Sequence, residues 1–167
     1  MNGSTSIATM RSVGVRDVTT GERVEIVEPA NLYGCSLGDD CFVGPFTEIQ
    51  RGARVGARTR IQSHAFVCEL VTIGSDCFIG HGVMFTNDVF AEGAPARGRR
   101  DLWRSTQIGD RVSIGSNATL LPVAVCDDVV IGAGAVVTRD ITRPGIYAGN
   151  PARFLRANPA LPASETR

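Results

Sequence analysis

The sequence has 167 residues, 43% hydrophobic but only 6% aromatic, enough for one domain (1–167) with a narrow aliphatic core. Its 17 basic residues are all Arg and balance 17 acidic ones, so no basic excess marks a nucleic-acid binder, and without Lys neither Schiff-base chemistry nor a Lys-dependent phosphate loop is available. No apolar run approaches the roughly 18 residues of a membrane span, the N-terminus lacks a secretory pattern, and five Cys without a CxxC pair predict a reducing, cytoplasmic setting.

Residues 1–20 show no regular pattern and are expected as an extended lead-in. Residues 22–30, ERVEIVEPA, alternate polar and apolar as a starting strand does. From Leu37 a period of six takes over: LGDDCF, VGPFTE, IQRGAR, VGARTR, IQSHAF, VCELVT, IGSDCF, IGHGVM, FTNDVF. An aliphatic or Phe residue opens every block, from Leu37 to Phe85, and a small or β-branched residue fills every fifth place, from Cys41 to Val89. An even period preserves strand alternation, so each block reads as a short strand and a turn. Three blocks make a triangular coil of about 18 residues, and coils stack about 4.8 Å apart. Cys35, Cys41 and Cys77 occupy the small fifth place, while Cys68 and Cys126 stand where Gly is usual; packing is the plain explanation, redox or nucleophilic use the alternative.

The chain's two His, His64 and His81, lie in blocks whose opening residues are one coil apart, so they fall on the same side of adjacent coils. A neighbouring imidazole pair on an outward surface is a candidate acid–base site. A polar pair buried between subunits is the alternative.

The repeat stops between Asp88 and Gln107, giving an inserted loop over 88–107 that carries Arg97, Arg99, Arg100, Arg104 and Trp103. A mid-column excursion is either a solvated bulge or an arm reaching a neighbouring subunit, its Arg suited to phosphates. The register resumes at Ile108, Ile114 and Leu120, steps by five to Val125 near Pro122, and continues through Ile131 and Val137. The stretch 157–167, ANPALPASETR, reads as a flexible tail.

The hexads over about 31–156 resemble the hexapeptide-repeat acyltransferase family, and that resemblance implies an all-β, left-handed parallel β-helix. The left hand opposes the usual crossover rule and comes from the resemblance alone. The segment GHGVMFTND, His81 to Asp88 with its preceding Gly80, resembles the subgroup that N-acetylates nucleotide-linked amino sugars. By that likeness Phe85 and Thr86 sit at the substrate cleft with His64, Arg97 and Arg104. Asn87 and Asp88 orient the sugar amine, and either Asp88 or His81 takes its proton. The segments IGSNATLLP, VVIGAGAVVTRDI and AGNPARFLR imply a groove for coenzyme A flanked by Ser116, Asn117, Gly132 and Ala133. Arg139 and Arg153 would meet its phosphates; ordinary capping is the alternative for both. The same resemblance implies a homotrimer using acetyl-CoA as co-substrate, with no resident metal.

Other functions stay open: O-acetylation of a sugar or small xenobiotic, a zinc carbonic-anhydrase-like protein, or a non-catalytic scaffold. Zinc would need three His ligands where the chain has two.

Overall fold

Hexads of this kind give the chain a straight strand, a corner, and another straight strand. The computed structural model describes residues 12–160, and the expectations for 1–11 and 161–167 lie outside these. The described chain winds as a left-handed parallel β-helix with three faces. Face 1 stacks Val15–Arg16, Asn31–Tyr33, Glu48–Ile49, Phe66–Val67, Met84–Phe85, Thr119–Leu120 and Val136–Val137. Face 2 stacks Thr19–Thr20, Ser36–Leu37, Arg54–Val55, Val71–Ile73, Thr106–Ile108 and Ala124–Val125. Face 3 stacks Glu25–Ile26, Phe42–Val43, Arg60–Ile61, Phe78–Ile79, Ser113–Ile114, Val129–Ile131 and Gly145–Ala148, and Arg153–Arg156 pairs antiparallel with the last of these. No helix among the described residues is long and apolar enough to cross a membrane.

The register follows the hexads. Phe66 pairs with both Glu48 and Met84, and Ile79 pairs with both Ile61 and Ile114. Block-opening residues therefore form inward ladders: Ile49, Val67, Phe85 and Leu120 on face 1, and Ile61, Ile79, Ile114 and Ile131 on face 3, each at most 1% exposed. Burying one such side chain is worth about 1.5–3 kcal/mol. The fifth-place residues fill the corners. Thr59 and Ala65 are buried, and the Thr59 hydroxyl donates to the Gly74 carbonyl (2.9 Å) while accepting from the Cys77 amide (3.0 Å). Cys35, Cys41, Cys68 and Cys77 are buried free thiols and Cys126 is half-buried; burial pushes all five up, Cys68 to about 12. Thiols held protonated in this way pack as small apolar groups.

Three expectations change. The column begins a full coil before residue 31, because Val15–Arg16, Thr19–Thr20 and Glu25–Ile26 already pair with the strands above them. The ninth block is incomplete: the chain leaves the column after Thr86, and Val89 is 41% exposed instead of filling a corner. Phe85 is fully buried, so its ring belongs to the core and does not face a substrate.

Candidate active site

Each coil turns three corners, and most of these place one residue in the left-handed region. On the corner joining face 3 to face 1 these residues are Phe46, His64, Gly82, Asn117 and Gly134, with φ between 59° and 67°. Their amides donate to the coil below: His64 N to Pro45 O (3.1 Å), Gly82 N to Ser63 O (3.0 Å), Asn117 N to His81 O (2.8 Å) and Gly134 N to Ser116 O (2.9 Å). The residues just before them, Ser63, His81, Ser116 and Ala133, present amides that meet no acceptor among the described residues. Gly80 carries the close approach that brings His81 under Ser116, since a Cβ there would lie 2.7 Å from the Ser116 nitrogen.

Both His project from this corner. His81 is exposed, and its Nδ1 lies 2.8 Å from the Ser63 hydroxyl one coil below. His64 stacks on the exposed ring of Phe46, with centroids 4.9 Å apart and planes 16° from parallel. Ser116, Asn117, Gly132 and Ala133 continue the same corner upward, so six of the sequence-predicted site residues form one column. Within its turns, 27–30, 44–47, 62–65, 80–83, 115–118 and 132–135, the only ionisable side chains are the two His and Glu28 at the base.

The corner joining face 1 to face 2 carries the inserted loop. Here the sequence-predicted residues bond to backbone groups of the loop and of the column. Asp88 accepts from Phe90 N (2.9 Å) through one oxygen and from Ala96 N (2.7 Å) through the other. The Asn87 side-chain amide donates to Glu69 O (3.2 Å), and the Asn87 backbone carbonyl accepts from Arg104 N (2.9 Å). The Arg104 guanidinium donates to the carbonyls of Asp101 and Trp103. Arg99 grips Glu92 with two 2.9 Å bonds, and Arg100 ties the loop to Glu69 on the column. Arg97 is exposed, with φ at 51°. Thr86, whose hydroxyl donates to Leu120 O (3.2 Å), ends the last regular strand before the loop.

His81 and Asp88 therefore stand on different corners, with face 1 between them. One chain does not bring the imidazole and the loop carboxylate together. Arg139 and Arg153 meet elsewhere, at the C-terminal end of the column, where they line a 190 Å³ concavity with Tyr147 and Phe154.

Sequence reasoning missed Ser63, Phe46 and Glu69. Ser63 was within reach, because it lies one coil below His81 at the same block position. Glu69 stands in that relation to Asn87. Phe46 carries no chemistry of its own, and its stacking appears only in three dimensions.

Comparison with known proteins adds a set of likenesses. A family model for the hexapeptide repeat of succinyl-transferase matches residues 105–139. The bifunctional protein GlmU of Paramagnetospirillum magneticum is 31% identical over 150 residues, covering 78% of this chain and 30% of that protein. The chain thus spans less than a third of the length of the curated relatives it matches. A galactoside acetyltransferase solved with coenzyme A superposes with TM-score 0.62 at 27% identity, covering 74% of this chain and 64% of that one. A GDP-perosamine N-acetyl transferase from Caulobacter crescentus, solved as a mutant with coenzyme A and GDP-perosamine, superposes with TM-score 0.61 at 20% identity, covering 83% and 57%. The chain has the fold of the hexapeptide acetyltransferases, and its residues 105–139 match the hexapeptide repeat.

Proposed function

We propose that this chain is a cytoplasmic, homotrimeric acyltransferase that moves an acetyl group from acetyl-CoA to the amine of a nucleotide-linked amino sugar. The observation that carries the reading is the corner joining faces 3 and 1, where an imidazole oriented by a hydroxyl stands in a column of amides without acceptors. Acyl transfer needs those two things: a base near neutrality and donors for the charge that develops on the carbonyl oxygen.

The corner fits a thioester's pantetheine arm. At Gly132-Ala133-Gly134-Ala135 no side chain exceeds a methyl group, and a Cβ on Gly134 would meet nothing within 4 Å. Arg139 and Arg153 at the column's end supply charge for phosphates. Relatives solved with coenzyme A and with a nucleotide-linked amino sugar support the reading.

The sugar amine reaches the site neutral, having given its first proton to solvent. As its nitrogen bonds to the thioester carbonyl carbon, a second proton passes to His81 Nε2. The carbon–sulfur bond then breaks, and His81 returns that proton to the departing sulfur, leaving an amide and a free thiol. The amides along the corner hold the carbonyl oxygen's developing charge.

A trimer closes the gap between the two half-sites. Face 1 presents Phe66 and Met84 outward, with Leu70 at its edge; Met84 is 43% and Leu70 42% exposed. A threefold axis in front of face 1 would cover these groups. It would also set the His81 corner of one copy beside the loop corner of the next. Asn87, Asp88, Arg97 and Arg104 would then reach the neighbour's acceptor sugar, Asp88 shaping the loop and His81 handling the proton.

A hydroxyl acceptor is the second reading, favoured by the 27% identity to a galactoside acetyltransferase. Thiol release measured over nucleotide-linked amino sugars and their hydroxyl counterparts tests both. Amino acceptors should be preferred; turnover confined to hydroxyl acceptors would transfer the assignment, and none over a broad panel would remove it.

A further inference from the structure

We propose that Ser63 is the positioning residue of the transfer, acting through His81. Its hydroxyl accepts the His81 Nδ1 proton and so leaves the Nε2 lone pair facing the acceptor. This rests on His81 being the base.

The geometry has three parts. The Ser63 oxygen and His81 Nδ1 lie 2.8 Å apart, within range for a hydrogen bond and short for one to a neutral group. Ser63 sits in a turn whose backbone is fixed from above, because its carbonyl accepts the Gly82 amide at 3.0 Å. His81 is held in turn by its own carbonyl, which accepts the Asn117 amide at 2.8 Å. The hydroxyl and the ring are thus carried by adjacent rungs of one ladder, and the ring's orientation is tied to the stacking of the coils.

The partner's identity matters. A carboxylate at Nδ1 would favour imidazolium, but no Asp or Glu occupies the turns on either side of His81, and the nearest titratable side chain along the corner is His64. A serine hydroxyl is neutral and can accept from Nδ1–H while donating its own proton to water, which half-buried Ser63 can reach. The nitrogen that keeps the proton is set by the hydrogen bond made by the other side of the ring. Free imidazole side chains prefer the proton on Nε2, where a base would have no lone pair. Ser63 reverses that preference. His64, held by ring stacking on Phe46, has no such partner among the described residues, so the two histidines are set up for different work.

The test uses the fact that the chain contains only two histidines. In protein labelled with ¹⁵N-histidine, at a pH where both rings are neutral, nitrogen shifts report each tautomer. His64→Phe serves only to assign the two rings. The expected result is Nδ1–H for His81 in the native chain and a shift toward Nε2–H in Ser63→Ala. Ser63→Ala should lower kcat roughly tenfold with KM little changed, and Ser63→Thr, which keeps the hydroxyl, should recover most of both signals. An Nε2–H tautomer in the native protein, or a His81 tautomer indifferent to Ser63→Ala, would overturn the proposal. The tautomer is read without any acceptor, so a failure of the acyltransfer reading would show as absent turnover with the Ser63 effect on the ring intact.

Discussion

The corner joining faces 2 and 3 and the corner joining faces 3 and 1 are built from the same hexad, yet one is closed and the other open. On the closed corner the left-handed residues alternate in charge up the column: Arg23, Asp40, Arg58, Asp76, Arg111, Asp128. Arg23 grips Asp40 at 2.6 and 2.8 Å, Arg58 grips Asp76 at 2.7 Å twice, and Arg111 grips Asp128 at 2.7 and 2.8 Å. Just before them, carboxylates cap three of the six amides that the fold leaves over: Asp39 takes Glu22 N, Asp110 takes Ser75 N and Asp127 takes Asp110 N, all within 2.9 Å, while those of Asp39, Ala57 and Asp127 meet no acceptor among the described residues. The open corner has none of this. Its left-handed positions hold Phe, His, Gly, Asn and Gly, and the amides of Ser63, His81, Ser116 and Ala133 are left available. The lesson is that the column can satisfy a corner amide with one Asp from the coil above, and does so at three positions of the first corner and at none of the second. Where it does not, the donors remain for a ligand.

Changes that blur this contrast should have graded effects. The largest is expected from His81→Ala, which removes the base from the open corner while touching no core contact. Turnover should fall on the order of 10²-fold, equivalent to about 2.7 kcal/mol, with Tm unchanged. Wild-type turnover would remove His81 from the mechanism. Next comes a conversion of one corner into the other. Ala133→Asp places a carboxylate above Ser116 as Asp110 stands above Ser75, and it should cap the Ser116 amide. Thioester-dependent turnover should drop about tenfold, with Tm equal to or above that of the native chain, because the new bond is charge-assisted.

The reverse operation is smaller and falls on stability alone. Asp110→Ala strips the cap from Ser75 N, a 2.7 Å bond, and should cost about 1 kcal/mol in denaturant unfolding without changing kcat. The smallest effect belongs to the exposed ion pairs. Hydrogen bonds from Arg23, Arg58 and Arg111 hold the carboxyls of Asp40, Asp76 and Asp128 below the usual carboxylate range. A carboxyl depressed in the folded state stabilises above its unfolded pKa, near pH 3.9, and loses that contribution as pH falls through the depressed folded value. Melting curves should therefore show Tm dropping below about pH 4, less steeply in Arg111→Ala, with 1 M salt weakening the difference.

The ladders of this fold were legible because burial repeats at a fixed interval: Ile61, Ile79 and Ile114 announce an interior whatever the corners contain. Edges were harder. In the first coil, Val18, Val24 and Ile26 are only partly buried, so residues 15–26 lack the strong apolar beat of later coils. Val89 fits the small fifth place by type, but counting cannot show that the chain has already left the column, a departure held by Asp88 and its bonds to Phe90 and Ala96. The site was half legible. Two imidazoles one coil apart can be read from spacing, whereas assigning each hexad to a corner requires the phase of the triangle. His81 precedes the Met84–Phe85 strand of face 1 and Asp88 follows it, which puts them on opposite sides of that face. Ser63 was equally placed by the register, but serine is too common in turns for its type to single it out.

The contrast between the corners is tested most directly by calorimetric titration of coenzyme A into three proteins: the native chain, Ala133→Asp and Asp110→Ala. Binding should appear in the native chain, weaken about tenfold when the open corner is capped, and persist unchanged when the closed corner is uncapped. Equal binding by Ala133→Asp and the native chain, or no binding by the native chain at all, would contradict the account.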